Sequence, residues 1–289
     1  MEFDPVARGE WSRFFPATGT RPEVLNARFV QQAFARHTHD EYVIGLAQEG
    51  AGRMNLGRTA HDMPAGSVFL INPAEVHTGG TVGLPEGYIH RALYPTEALM
   101  FEAAEEVEAR GSPSLSSLPS FSSVVIFDPE LFRVLLAFHH SVTGRAPALE
   151  QETHLRTALS LLLFRHTQPG AAIGRRARAP RAARRARDYL QASYTRDVTL
   201  SELAGVCGYS PFHLARAFAA AFGLPPHAYL NGLRIARAKQ MIQVGTPLSQ
   251  IALDLGFCDQ SHFNRRFKKA VGVAPGEYAR DTISSRKRR

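Results

Sequence analysis

A chain of 289 residues with only two cysteines, one tryptophan and four lysines is poor in several side chains that define common protein classes. Cys207 and Cys258 are too few for a disulfide scaffold or a four-cysteine zinc site, so reduced thiols are expected. No apolar run approaches the roughly 20 residues that cross a bilayer, and Met1–Arg13 lacks the layout of a secretory leader. A soluble, cytoplasmic protein with no membrane partner is the expectation. An apolar share of 44% beside a charged share of 21% excludes wholesale disorder. The length suits two domains of roughly 100–200 residues each.

Lysine is absent from residues 1–170, which hold 13 arginines against 19 carboxylates, a net −6; residues 171–289 hold 21 basic against 7 acidic side chains, a net +14. The overall +8 conceals this division. Such asymmetry points to a polyanion meeting the second half, and double-stranded DNA is the first candidate, since Lys and Arg on phosphate release counterions.

Along residues 22–94, short apolar runs such as Tyr42–Leu46 and Val68–Ile71 alternate with Gly and Pro punctuation, the texture of antiparallel strands in a small barrel or sandwich. An acidic helical stretch follows over Thr96–Arg110, then a Ser/Pro loop over Ser112–Ser123. Pro129–Val142 carries Leu131, Leu135 and Phe138 on one stripe, and Glu150–His166 carries Leu155, Leu159 and Leu162, which predicts an antiparallel helix pair. The leucines 131, 135, 155 and 159 form a candidate homodimer surface, or else pack on their own domain. His139 and His140 read as solvated. The composition change at 168–180 sets a domain 1–168, an Arg/Pro-rich linker 169–180 and a domain 181–289.

The basic half contains a repeat. Leu200-Ser201-Glu202-Leu203-Ala204 returns as Leu248-Ser249-Gln250-Ile251-Ala252 after 48 residues, and His213-Leu214, Arg216, Phe218, Gly223, Pro226 and Tyr229 return 49 residues later. Each copy predicts a short helix, a turn at Gly208 or Gly256 where a left-handed residue is needed, and a longer helix. Thr199 and Ser210 cap the first copy; Thr246 with Pro247, and Asp259, open the helices of the second. This is a helix-turn-helix pattern. In the second helices Leu214, Phe218 and Phe222, and Phe263, Phe267 and Val271, are the core stripe. The outward sides then hold Phe212, Arg216 and Ala219 in one copy and Ser261, Arg265 and Lys268 in the other. Ser and Arg can bond base edges, and an outward Phe has a use against a thymine methyl. The helix His227–Val244 between the copies buries Ile235, Ala238 and Ile242 and points Arg234, Arg237 and Lys239 outward. At about 27 Å it suits two readers one DNA turn apart.

Gly256-Phe257-Cys258-Asp259-Gln260-Ser261-His262-Phe263-Asn264-Arg265-Arg266-Phe267-Lys268-Lys269 followed by Gly272–Tyr278 resembles the signature of the AraC/XylS family of bacterial transcription regulators, and Ser210–Phe218 resembles that family's first recognition helix. The likeness covers residues 181–281. It implies two helix-turn-helix units reading successive major grooves, with Phe212, Ala215 and Arg216, then Gln260, Ser261, His262 and Arg265, as base readers by motif position.

Arg36-His37-Thr38-His39-Asp40-Glu41, with Pro64-Ala65-Gly66 and Asn72–His77 about forty residues on, resembles the cupin-type β-barrel that such regulators carry as an effector-binding domain. If His37, His39 and Glu41 share a strand, their spacing aims them at one face, where His77 could join them at the barrel mouth. Three readings stand for this cluster: a divalent metal site, since imidazole and carboxylate suit Zn, Fe or Ni; a small-effector site without metal; or a polar strand end. Enzymatic cupins place the carboxylate where this chain has Val43 and Ile44, so the metal-free effector site is preferred and no cofactor is expected.

The fold expected is thus α+β and multidomain: an N-terminal cupin-like antiparallel barrel with a helical pair, then an all-α double helix-turn-helix domain. The function expected is a sequence-specific, effector-responsive transcription activator whose partners are double-stranded DNA, a small effector, RNA polymerase and a second copy of the chain. The alternatives are a metal-dependent cupin enzyme fused to a DNA-binding module and a sequence-blind architectural DNA binder.

Overall fold

The structure, a computed structural model, describes residues 9–19, 21–57, 59–83, 87–108, 118–167 and 180–284. They fall into two units. The first comprises 9–33, 40–75 and 79–167; the second comprises 34–39, 76–78 and 180–284. The expected linker 169–180 lies outside the described residues except for Pro180, as does the first half of the Ser/Pro loop over 112–123.

Among the described residues, ten strands make two sheets. β1 (Trp11–Phe15), β2 (Glu23–Phe29), β9 (Tyr88–Tyr94), β4 (Val43–Glu49), β7 (Val68–Ile71) and β10 (Val125–Ile126) lie side by side in that order, antiparallel throughout. β3 (Ala33–His37), β8 (His77–Thr81), β5 (Ala51–Leu56) and β6 (Thr59–Pro64) form the second sheet. Successive side chains of a strand face opposite ways, and both faces of the larger sheet are used. One carries Val24, Ile44, Leu46, Val68, Leu70 and Leu93 into a core shared with α1 (Glu97–Glu108), α2 (Pro129–Thr143) and α3 (Ala148–His166). The other turns the Tyr88 ring towards Gly52 and Met63 of the smaller sheet.

The α2 start is fixed locally. Asp128 accepts from the Glu130 and Leu131 amides, and Pro129 needs no partner in the first turn. Leu131, Leu135, Leu155 and Leu159 are all buried in this core, so they are not the exposed dimer surface that the helical stripe suggested; the stripe faces the sheet instead. His139 is likewise fully buried rather than solvated, its Nδ1 paired with Asn26 Oδ1 of β2 at 3.1 Å.

The basic half is helical: α4 (Arg181–Ala192), α5 (Leu200–Cys207), α6 (Pro211–Phe222), α7 (Pro226–Gln243), α8 (Leu248–Asp254), α9 (Gln260–Val271) and α10 (Pro275–Ser284). In the first repeat Ala186, Leu190, Leu203, Ala204, Leu214, Phe218 and Leu230 close one core. In the second, Ile251, Ala252, Phe263, Phe267 and Tyr278 are buried. The caps are those the repeat implies, with one difference. Thr199, Ser210 and Asp259 each accept an amide of their own helix, whereas α8 begins after Pro247 with no side-chain cap, so Thr246 does not serve.

Arg234 is the main departure in this half. It was expected to point outward from α7, but it is 6% exposed. Its guanidinium donates to the carbonyl oxygens of Tyr194 and Arg196, before α5, and of Gly256, in the α8–α9 turn, all at 2.8–2.9 Å. It also lies 5.6 Å from the centre of the Phe257 ring. A fork of five N–H donors can satisfy three carbonyls that no single apolar residue could.

Candidate nucleic-acid interface and sensor site

The two helix-turn-helix units expose what a DNA reader must expose. Leu214 and Phe218 bury the inner side of α6, while Phe212 and Arg216 stand outside it, Phe212 at 71% exposure. Arg216 lies over the Phe212 ring, 5.7 Å from its centre, and this stacking pre-orders both side chains on one outward face. Ala215 is half-buried beside them. In α9, Phe263 and Phe267 take the inner side, and Gln260, Ser261, Arg265 and Lys268 are exposed. His262 is placed differently from those four. It is half-buried with its ring edge on Phe257, and its Nε2 accepts from Arg266 Nε at 3.1 Å. Serine and aspartate caps leave the remaining first-turn amides of α6 and α9 at the N-terminal ends, where a phosphate oxygen can be met.

The histidines of the other motif come together, but without their carboxylate. β3 ends at His37, and His39 and Glu41 lie beyond it in the connection to β4, so the three do not share a strand. His37, His39 and His77 nevertheless each bring a ring nitrogen within 4.8 Å of the others. Glu41 is not one of this group; its charge acts instead on the Tyr94 hydroxyl, whose pKa is raised by burial and by Glu23 and Glu41. Burial lowers the pKa of His37, and burial, the two neighbouring imidazoles and the Lys239 ammonium lower that of His39 well below the ordinary value. Both rings are therefore neutral at pH 7.

A second polar group lies inside the sheet unit, and sequence reasoning did not single it out. His90 of β9 stacks on Tyr88 at 5.2 Å and sits between Phe29 and Phe69. Its Nδ1 and the Tyr88 hydroxyl are buried without a hydrogen-bond partner among the described residues. Burial holds the His90 pKa at about 4. The only sequence signal is a polar residue at an inward strand position, which periodicity reveals once the strand is known.

An exposed pair of recognition helices on a capped, repeated scaffold, in a chain that also holds two β-sheets, defines a helix-turn-helix transcription regulator with a ligand-binding domain. Comparison with known proteins agrees. The AraC-like ligand binding domain family matches residues 22–159, and a helix-turn-helix domain family matches residues 203–281. The HTH-type transcriptional regulator YbfI of Bacillus subtilis is 28% identical over 241 residues, 83% of this chain and 85% of its own length. The HTH-type transcriptional activator RhaR of Klebsiella pneumoniae is 25% identical over 92% of this chain and 94% of its own. Among solved structures, ToxT of Vibrio cholerae shares the fold with a TM-score of 0.57 at 14% identity, over 91% of this chain and 99% of that one. The chain belongs to the AraC family of transcription regulators.

Proposed function

We propose that this regulator is an effector-responsive, sequence-specific activator that reads two successive major grooves with α6 and α9. The observation that carries the reading is the sidedness of those helices: an aromatic core stripe inside, and Phe212 with Arg216, or Gln260, Ser261, Arg265 and Lys268, outside. Arg216 and Arg265 occupy equivalent places in the repeat and are suited to guanine, while Phe212 suits a thymine methyl. Ala215 contributes shape, and His262 orients Arg266 rather than reaching a base itself. Residues 1–168 form the effector domain and 169–180 the linker to the DNA-binding residues 181–289.

His37, His39 and His77 form the effector site, and Glu41 stands outside it. An effector shifts transcription only through unequal affinity for two states of the protein. That RhaR is named an activator supports activation, with RNA polymerase as the partner. A homodimer would use residues other than the buried leucines; Leu149 and Phe164 are the exposed large apolar side chains of α3. The chain performs no catalysis of its own in this reading, and it works in the cytoplasm; no described helix is long and apolar enough to cross a membrane.

Selection from random duplexes, followed by footprinting at physiological salt, tests the reading. One protected site covering two adjacent major-groove faces is expected. Arg265→Ala should cost about 1–3 kcal/mol on that site and relax base preference at one position. Equal affinity for unrelated duplexes would make the chain an architectural binder instead, and an equal Arg265→Ala loss on selected and random DNA would make Arg265 a phosphate contact.

A further inference from the structure

Two stretches of chain about forty residues apart in sequence deliver three imidazoles to one spot. Ring centres lie 4.4 Å apart for His37 and His77, 4.8 Å for His37 and His39, and 5.1 Å for His39 and His77. We propose that His37, His39 and His77 bind one divalent transition-metal ion of the zinc or nickel class, and that this ion is the signal the regulator responds to. The proposal rests on the effector-responsive reading above and gives its ligand a chemical class.

The donor set decides the class. Three imidazole nitrogens with no carboxylate among them favour a borderline ion over the oxygen-seeking Mg2+ and Ca2+, and the missing thiolate disfavours Cu(I). One tautomer is already set. His37 Nδ1–H donates to the carbonyl oxygen of Ala35 at 2.7 Å, which leaves the lone pair on Nε2. Such a backbone bond on the far nitrogen is how ligating histidines are usually oriented.

Distances are compatible with a modest closing movement. Tetrahedral coordination at 2.0–2.1 Å puts ligand nitrogens about 3.4 Å apart, while the three here lie within 4.8 Å. Side-chain torsions cover that difference, so the metal would draw the segment beyond β3, which carries His39, towards the first residue of β8. His77 is only 5% exposed and cannot swing away to solvent, which makes it the fixed point of the group. Three protein ligands leave a fourth position for water. With Glu41 outside the cluster, no carboxylate of this group stands ready as a base beside that water, which fits sensing rather than turnover.

The test uses the full chain, stripped with a chelator and titrated with ZnCl2 against a chromophoric competitor. One equivalent per chain is expected at affinity tighter than micromolar. His39→Ala and His77→Ala should each weaken it by at least roughly 100-fold, the upper end of what loss of even an outer-shell partner costs. His39 lies outside the strands, so His39→Ala can be checked for an unchanged circular dichroism spectrum and melting temperature in chelator. Should His77→Ala misfold, the visible absorption of bound Co2+ in the unaltered chain reports coordination number and nitrogen ligands directly. On the duplex selected above, Zn2+ should change affinity at least about fivefold, and by reciprocity the duplex should change Zn2+ affinity by the same factor. No stoichiometric binding, or binding unchanged in both variants, overturns the site; binding without any change on DNA overturns its role as signal. A protected duplex that is found even when Zn2+ fails to bind leaves the regulator reading standing and removes only the metal.

Discussion

Arg234 shows how much a single side chain can decide. It ties the loop before the first helix-turn-helix to the turn inside the second, through three carbonyls and the Phe257 ring. Arg234→Lys keeps the charge but has no planar fork, so at least two carbonyls lose their donor. A stability loss of about 3 kcal/mol is expected by urea denaturation, and affinity for the two-groove site should fall more than affinity for random DNA. Equal losses on both would mean that Arg234 supports folding without setting the spacing of the readers. His90 makes a different prediction at the same scale. Burial depresses its pKa from 6.5 to about 4, so folded and unfolded states are both neutral above pH 6.5. Below that the unfolded chain takes up the proton first, and stability falls with falling pH by about 1.4 kcal/mol per unit until pH 4. His90→Phe should flatten the dependence of melting temperature on pH between 6.5 and 4.5. Neither residue was legible in the sequence. Partners 22 to 40 residues away for Arg234, and rings drawn from three strands for His90, leave no local trace.

Elements whose causes are local were legible. The helix-turn-helix repeat announces itself because caps, turn glycines and core aromatics all lie within a dozen residues of the helices that they define. β1 went unread because only Phe14 of its five residues is buried, so it shows no alternation. The leucine stripes of α2 and α3 are visible in the sequence, but periodicity leaves open whether they face a second copy or their own domain; tertiary placement decides for the latter. The histidine motif was half legible: the cluster forms, yet β3 stops too early for Glu41 to join it. The two turns of the repeat separate backbone cost from crowding. Gly208 (φ 71°) has open space around the position of a Cβ, whereas at Gly256 (φ 69°) that atom would lie 2.5 Å from the Thr195 carbonyl oxygen. Gly208→Ala should cost about 1–2 kcal/mol for the left-handed conformation alone, and Gly256→Ala clearly more. Equal melting shifts for the two variants would show that the Thr195 loop yields freely.

At the scale of the whole molecule the charge division carries the prediction. A net +14 after residue 170 against −6 before it confines phosphate attraction to the helical half. Arg185 is exposed on α4, and Arg185→Gln should lower the slope of log affinity against log salt by about 1 while leaving base preference intact. An unchanged slope would remove α4 from the DNA contact. The division of the chain into an acidic β half and a basic helical half was readable from composition because charge is additive along a sequence. The composition says nothing of any coupling between the halves, because coupling depends on contacts that composition does not encode. The Arg234 strut has a practical corollary for anyone building chimeric regulators. A recognition helix can be exchanged by altering outward residues of α6 or α9, but a whole helix-turn-helix unit cannot be transplanted alone. The Tyr194–Arg196 loop, Arg234 and Gly256 must travel together as one cassette, or the graft will read each half-site well and the pair badly.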